Sequence, residues 1–347
     1  MTVRVRFAPS PTGSLHLGNA LSAVANRTFA DARSGALVLR IDDTDAARNV
    51  TGAEEAILED LVWLGISFDE GPVRQSGRGA LYAEAVARAL EHSAVRDADG
   101  SVRLAGTTLA RAGGSATYQL ATVADDLELG ITHVIRGSDH RANEDVQRRI
   151  AVALGGELPE VIHHGLLLGD DGKKLSKRHG HSSVAELRDE GIPAAAVRAY
   201  LQELGLPAHD VQLDLPRLQR LAIDAIAAMP DAELAAAAGA PVRIVRALRG
   251  ARTLVEARAI ARQILEPDPV VLGEEARPTL ERFVELRAPA PELLDEAGAR
   301  AIVRELQAVG ASLKTLRLAL TGAPKGPELW AVVAALDRGE ALRRAGA

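Results

Sequence analysis

The chain contains no cysteine, which excludes disulfides, thiolate metal sites and a thiolate nucleophile. Aromatic residues are nearly as scarce, at 3% of 347 positions. The cores must therefore be built from Leu, Val, Ile and Ala, which suits helices and parallel strands better than a β-sandwich. No uninterrupted apolar run is long enough to span a bilayer. The first residues run straight into a strand pattern with no signal-like segment, so a cytoplasmic protein is expected. Positive charge is not in excess either: the formal net charge is -6, and the acidic surplus lies wholly before Leu206. Nothing in the total charge advertises a nucleic-acid binder. We find no repeat of fixed period.

What is present is a soluble-type composition, 47% hydrophobic and 25% charged, on a chain long enough for two or three domains. Thr2 to Phe7 alternates like a strand, Ala8-Pro-Ser-Pro-Thr-Gly-Ser14 is a stiff turn-rich loop, and Leu15 to Ala32 reads as a helix. This is the opening of a doubly wound sheet, whose ligand crevice lies at the carboxyl ends of its strands. A second strand, Ala36 to Ile41, delivers Asp42-Asp-Thr-Asp45, and Thr51 with Glu54 predicts a capping box for the next helix. Another helix is expected from about Gly77 to Glu91. Between His92 and Gly114 the pattern dissolves into a connection predicted to hold little beyond a turn or hairpin. Ile131 to Arg136 and Val161 to Leu168 read as strands around a helix from Asn143 to Leu154. Beyond Ser183, which caps a helix, the periodicity is almost wholly helical. In that tail Arg243, Arg246, Arg249 and Arg252 make a basic stripe, either a phosphate-contacting face or simply a solvated one.

Two stretches carry chemistry. Asp170-Asp-Gly-Lys-Lys-Leu-Ser-Lys-Arg-His-Gly180 sets four cations on a loop that opens with a turn sequence, a suitable grip for a polyphosphate leaving group. Alone, such a cluster is more often a solvated surface. His16-Leu-Gly-Asn19 at the start of the first helix would supply helix-start amides, an imidazole and a glycine that lets a nucleotide approach.

Taken in order, Arg6-Phe-Ala-Pro-Ser-Pro-Thr-Gly13, His16-Leu-Gly-Asn19, Leu39-Arg-Ile-Asp-Asp-Thr-Asp45, Thr117-Tyr118 with Asp125-Asp126, Gly130-Ile-Thr-His-Val-Ile-Arg-Gly137 with Asp139-His140, and Lys174-Leu-Ser-Lys-Arg178 closely resemble the catalytic domain of glutamyl-tRNA synthetases, which are class I enzymes. The resemblance runs from about residue 1 to 205 and continues weakly to the end. It implies an α/β, Rossmann-like doubly wound parallel-sheet catalytic domain over 1–182, a helical stem-contact region over 183–240, and an all-α anticodon-binding-like bundle over 241–347. It implies ATP-dependent activation of L-glutamate to the adenylate and transfer to the 3′ end of tRNA. By that likeness the catalytic roles fall on His16, Gly18, Lys174 and Lys177. Glutamate would be held by Arg6, Ala8, Ser10, Asp42, Tyr118 and Arg136. ATP would be held by Pro9, Thr12, His16, Gly18, Asn19, Asp139, Leu175, Ser176 and Lys177. Mg2+ would bridge phosphate oxygens, no zinc is expected, and the family implies a monomer.

Three departures stand out. Asp42 takes the place of the family's usual Glu. The connection 92–114 stands where relatives insert a sizeable acceptor-end-binding domain. The helical tail is shorter than in full-length relatives. Two other readings therefore stay open: a paralogue that transfers glutamate to a modified tRNA base or a non-tRNA acceptor, and a non-catalytic regulatory homologue.

Overall fold

The structure, a computed structural model, describes residues 2–45, 47–175 and 181–346. It divides into two compact units, one formed by 1–188 with 197–215 and the other by 189–196 with 216–347.

The first unit begins with β1 (Arg4–Phe7), α1 (Leu17–Asp31) and β2 (Ala36–Ile41), and continues through α2 (Ala53–Trp63), β3 (Glu70–Arg74) and α3 (Gly79–His92). Strands β1, β2 and β3 pair in parallel in that order, with Arg6 opposite Val38. Val5, Phe7, Leu37, Leu39 and Ile41 are buried on one face of these strands. By the two-residue period of a strand, Arg6, Arg40 and the residue after β2, Asp42, share the other face.

The connection that follows holds more than the expected turn or hairpin. β4 (Val95–Arg96), β5 (Val102–Leu104) and β6 (Thr107–Ala110) form a three-stranded antiparallel sheet. Val102, Leu104 and Leu109 close over Tyr82, Ala85 and Leu120 in one apolar cluster, and that burial fixes a segment with little local propensity of its own. Next come α4 (Tyr118–Glu128), β7 (His133–Gly137), α5 (Glu144–Ala153), β8 (Glu160–His164) and β9 (Leu167–Leu168). β7 and β8 are parallel, and β7 meets β1 where Thr132 N donates to Arg4 O at 2.9 Å and Arg4 N donates to Thr132 Oγ1 at 2.9 Å. Chain order thus reverses across β1 and β7, which makes the crevice beyond their carboxyl ends the switch point of the sheet.

Two sequence expectations need correction. The predicted strand from Val161 to Leu168 breaks at Gly165, where an added Cβ would stand 1.9 Å from His209 O; β9 leaves β8 there to pair with β10 (Val211–Gln212). The Thr51/Glu54 capping box does not form either. Gly52, in the left-handed region at φ 78°, caps α2 without a side-chain bond, while Glu54 binds Arg74 at 2.6 Å. A working capping box does occur further on: Ser183 Oγ accepts from Glu186 N at 3.2 Å and Glu186 Oε2 accepts from Ser183 N at 3.2 Å, opening α6 (Val184–Asp189).

After α7 (Ala194–Leu204) and β10 the chain is helical: α8 (Leu215–Ala228), α9 (Asp231–Ala238), α10 (Val245–Leu248), α11 (Leu254–Leu265), α12 (Arg277–Arg287), α13 (Glu296–Ala308), α14 (Leu313–Thr321), α15 (Leu329–Ala335) and α16 (Arg338–Arg344). Ile226, Leu248, Phe283, Leu306, Leu316 and Val332 pack into one core of the second unit. The arginine stripe is mostly engaged within this unit. Arg246 pairs with Glu296 at 3.2 Å, Arg252 pairs with Glu256 at 3.1 Å, and Arg249 donates to the carbonyls of Ala227 and Met229 and pairs with Asp231. Helix α10 is only four residues long and is preceded by a 3₁₀ turn, so a three-residue spacing does not build one continuous face.

Candidate active site

A cavity of about 460 Å³ opens at the switch point. Its wall holds Arg6, Ala8, Pro9, Ser10, Thr12, His16, Gly18, Asn19, Asp42, Tyr118, Arg136, Asp139, Lys174 and Leu175, every described residue that the sequence assigned to glutamate, ATP or catalysis. Ser176 and Lys177 lie outside the described residues.

The loop after β1 reaches the wall because it is tied to its neighbours: Asp42 N donates to Pro9 O at 2.9 Å and Val50 N donates to Pro11 O at 2.9 Å. His16 is the residue before α1 but does not cap it with its side chain, and its Nδ1 is buried without a partner among the described residues. Backbone bonds bring the far end of the basic loop to the same place. Leu17 N donates to Ser182 O at 2.9 Å and Val184 N donates to Leu15 O at 3.0 Å. At its near end the loop closes a tight turn, with Lys173 N donating to Asp171 Oδ1 at 2.9 Å and Leu175 N donating to Leu167 O at 3.0 Å. Lys174 then pairs with Asp139 at 2.5 Å. Burial pushes the Asp139 carboxyl up, but the Lys174 ammonium outweighs it and leaves the group below its ordinary range.

Three buried guanidiniums, Arg6, Arg40 and Arg136, face the cavity. Arg40, fully buried, forks onto Asp42 (Nε to Oδ1 2.6 Å, Nη2 to Oδ2 3.1 Å) and reaches Asp126 Oδ1 with Nη1 at 2.7 Å. Arg6 Nε shares that Asp126 oxygen at 3.3 Å. Arg136 is different. Its Nη1 donates to Gln147 Oε1 at 2.8 Å and its Nε to His163 Nε2 at 3.4 Å, both neutral acceptors, while its Nη2 is buried with no partner. Among the described residues it has no carboxylate within ion-pair distance. Burial, and next the Arg6 charge, pull its pKa below the ordinary guanidinium value. A buried cation left in this state is costly unless an anion arrives from outside.

The structure adds residues that the sequence reading did not single out. His164 is buried and its Nδ1 lies 2.8 Å from Gly165 O, so that nitrogen carries the proton and Nε2 accepts from Ser22 Oγ at 2.8 Å. Burial lowers its pKa and keeps the ring neutral. Arg40 is the more telling omission, because a charge inside the apolar strand Ala36 to Ile41 was its visible signal.

Residues 2–99 and 97–215 match the sequence model of the tRNA synthetases class I (E and Q) catalytic domain. The chain belongs to this family. The match breaks at 97–99, in the turn between β4 and β5. Among its relatives is glutamate–tRNA ligase 2 of Paracoccus denitrificans, 31% identical over 464 positions that cover 99% of this chain and 97% of that protein. Since this chain has 347 residues, at least 117 positions of that alignment have no counterpart in it. Glutamate–tRNA ligase 1 of Xanthobacter autotrophicus is 33% identical, with 98% of each chain covered. Glutamate–tRNA ligase 1 of Rubrobacter xylanophilus is 45% identical, but over 59% of this chain and 54% of its own length. The crystal structure of a glutamate tRNA ligase from Elizabethkingia meningosepticum superposes with a TM-score of 0.80 over 100% of this chain and 99% of its own, at 21% identity, a likeness of fold.

Within the family's catalytic domain, Gly18 offers a clean test of the expectation that the nucleotide lies at this end of the cavity. A Cβ added there meets nothing within 4 Å, so Gly18→Ala should fold normally and even gain roughly 0.5–1 kcal/mol of helix stability. The methyl group would enter the cavity instead, and we expect the KM for ATP to rise about tenfold, as for overpacking of a fitted site, with thermal stability unchanged or higher.

Proposed function

We propose that the chain is a glutamate–tRNA ligase that activates L-glutamate with ATP and transfers it to the 3′-terminal adenosine of tRNA, working in the cytoplasm. The observation that carries the amino-acid assignment is Arg136, a buried guanidinium in the cavity wall whose Nη2 has no partner. A substrate with a second carboxylate supplies the missing anion; one with a side-chain amide leaves the charge uncompensated.

In this reading Arg6 and Arg136 hold carboxylate oxygens, Asp42 accepts from the substrate ammonium, and Tyr118 completes the wall beside Ala8 and Ser10. The substrate α-carboxylate, already ionised, attacks the α-phosphorus of ATP. The new O–P bond forms as the bond to the bridging oxygen breaks, and pyrophosphate leaves with that electron pair. No strong base is needed, so catalysis comes from placement and charge neutralisation. His16, Lys174 and Lys177 would take the developing charge on the phosphates, and Gly18 leaves room for the nucleotide. Pro9, Thr12, Asn19, Asp139 and Leu175 would line the nucleotide. Mg2+ would arrive with ATP and would help neutralise the phosphates. In the second step a ribose hydroxyl of the tRNA attacks the acyl carbon and AMP departs.

Pyrophosphate exchange and charging of bulk tRNA together test the proposal. Exchange that depends on glutamate, with glutamate ending as an alkali-labile ester on the 3′ end, is the expected result. Adenylate formation with no 3′-ester, at any tRNA concentration, would move the acceptor elsewhere. No exchange with any amino acid would remove the ligase reading.

A further inference from the structure

Two polar groups of the cavity, Asp42 and Arg6, are joined through its wall. Asp42, Arg40, Asp126 and Arg6 form one continuous ladder of ion pairs, at 2.6, 2.7 and 3.3 Å, through side chains that are all at least nine-tenths buried. Arg40 is one of its two inner members and has the least exposure of the four, none at all. It comes from β2, as does the turn carrying Asp42, while Asp126 comes from α4 and Arg6 from β1. The guanidinium is planar and its donors sit at fixed angles, so a bidentate grip on Asp42 with a third bond to Asp126 fixes both carboxylates relative to each other.

We propose that Arg40 is a positioning residue for amino-acid specificity: it sets the separation between the ammonium acceptor, Asp42, and the carboxylate donor, Arg6, and so selects the length of the substrate side chain. The inference rests on the glutamate-activating reading of the same site. Asp42 is short, and its reach into the cavity is set by what holds it from behind. Arg40 takes both of its oxygens on one edge, leaving their remaining lone pairs for a ligand. Arg40 also limits how far Arg6 can swing, because the two share one oxygen of Asp126. The groups facing Asp42 are Arg40, Arg6, Asp126 and the Tyr118 hydroxyl, with Asp125 beyond Arg40. Burial pushes the Asp42 carboxyl above its ordinary range, and the Arg40 charge is the largest force opposing that rise.

The test is Arg40→Lys in the full chain, which keeps the charge but loses the fork, with Asp126→Asn as a second variant that removes the negative charge from the ladder's other joint while leaving an oxygen acceptor. The wild type is run first, in pyrophosphate exchange with glutamate and with aspartate. For both variants we expect the KM for glutamate to rise about tenfold or more, the KM for ATP to change less than about twofold, and the preference for glutamate over aspartate to shrink. In Arg40→Lys the acid limb of the glutamate KM should also move to higher pH, since Asp42 must be ionised to accept an ammonium and loses the paired hydrogen bonds that help hold it ionised. A purely structural role would lower kcat and thermal stability and raise the KM for glutamate and for ATP together, and would move neither the glutamate-to-aspartate ratio nor the acid limb. If Arg40→Lys does not fold, Asp126→Asn decides alone. Folded variants with unchanged glutamate KM and unchanged selectivity, beside an active wild type, overturn this inference only; a wild type inactive with every amino acid overturns the ligase reading and this inference with it.

Discussion

Replacing Arg136 with Gln is expected to raise the KM for glutamate about a hundredfold, equivalent to ~3 kcal/mol, while narrowing the preference for glutamate over glutamine. In the cavity wall Arg136 is held by Gln147 and His163 and, among the described residues, by no carboxylate. Its charge is therefore not spent on the fold. A glutamate carboxylate would receive a charge-assisted bond in a wall that water does not fully screen, and the neutral variant would offer only an ordinary one. Stability should move little or upward, because the substitution removes a buried unpaired cation instead of breaking an ion pair. Pyrophosphate exchange at varied glutamate and glutamine, beside a thermal melt, checks both halves. An unchanged glutamate KM would remove Arg136 from the substrate site.

Replacing His16 with Ala should lower kcat about 10²- to 10³-fold, the usual cost of deleting one preorganised donor to transition-state charge. The KM for glutamate should stay within about twofold, because His16 is assigned to the phosphates and to nothing on the amino acid. The fold has little to lose. The imidazole makes no cap bond to α1, its Nδ1 has no partner, and the bridge to the 181–184 segment runs through the backbone of Leu15 and Leu17. Single-turnover adenylate formation with circular dichroism would separate the cases. A large loss of helicity would make His16 structural, and near-normal turnover would leave the phosphates to the lysines alone.

Much of the first unit was legible in the order of its residues. The strand from Ala36 to Ile41 appears with the bounds expected, and α1 begins two residues after the predicted start. Strand and helix periods are local properties, readable wherever apolar positions recur at two or at three to four. The connection at 92–114 was not legible. Its strands are two to four residues long, too short to show a period, and they are held by burial against Tyr82 and Leu120 rather than by their own sequence. The capping box at Thr51 failed for a related reason: Glu54 found a stronger partner in Arg74, 20 residues away.

The cavity shows the same division. The sequence by itself determined which chemical groups were available, an ordered set of cations, carboxylates and a helix-start histidine matching one family, and the loops that would carry them. It could not decide who neutralises whom. Arg6, Arg40 and Arg136 are alike as letters, yet Arg6 and Arg40 share Asp126 while Arg136 has no carboxylate in ion-pair reach among the described residues. That outcome depends on distances between β1, β2, β7 and α4, which only the packing of the sheet sets. Coulomb energy falls with separation and rises steeply with burial, so the tertiary structure decides which of three identical charges holds the fold and which is left for a ligand.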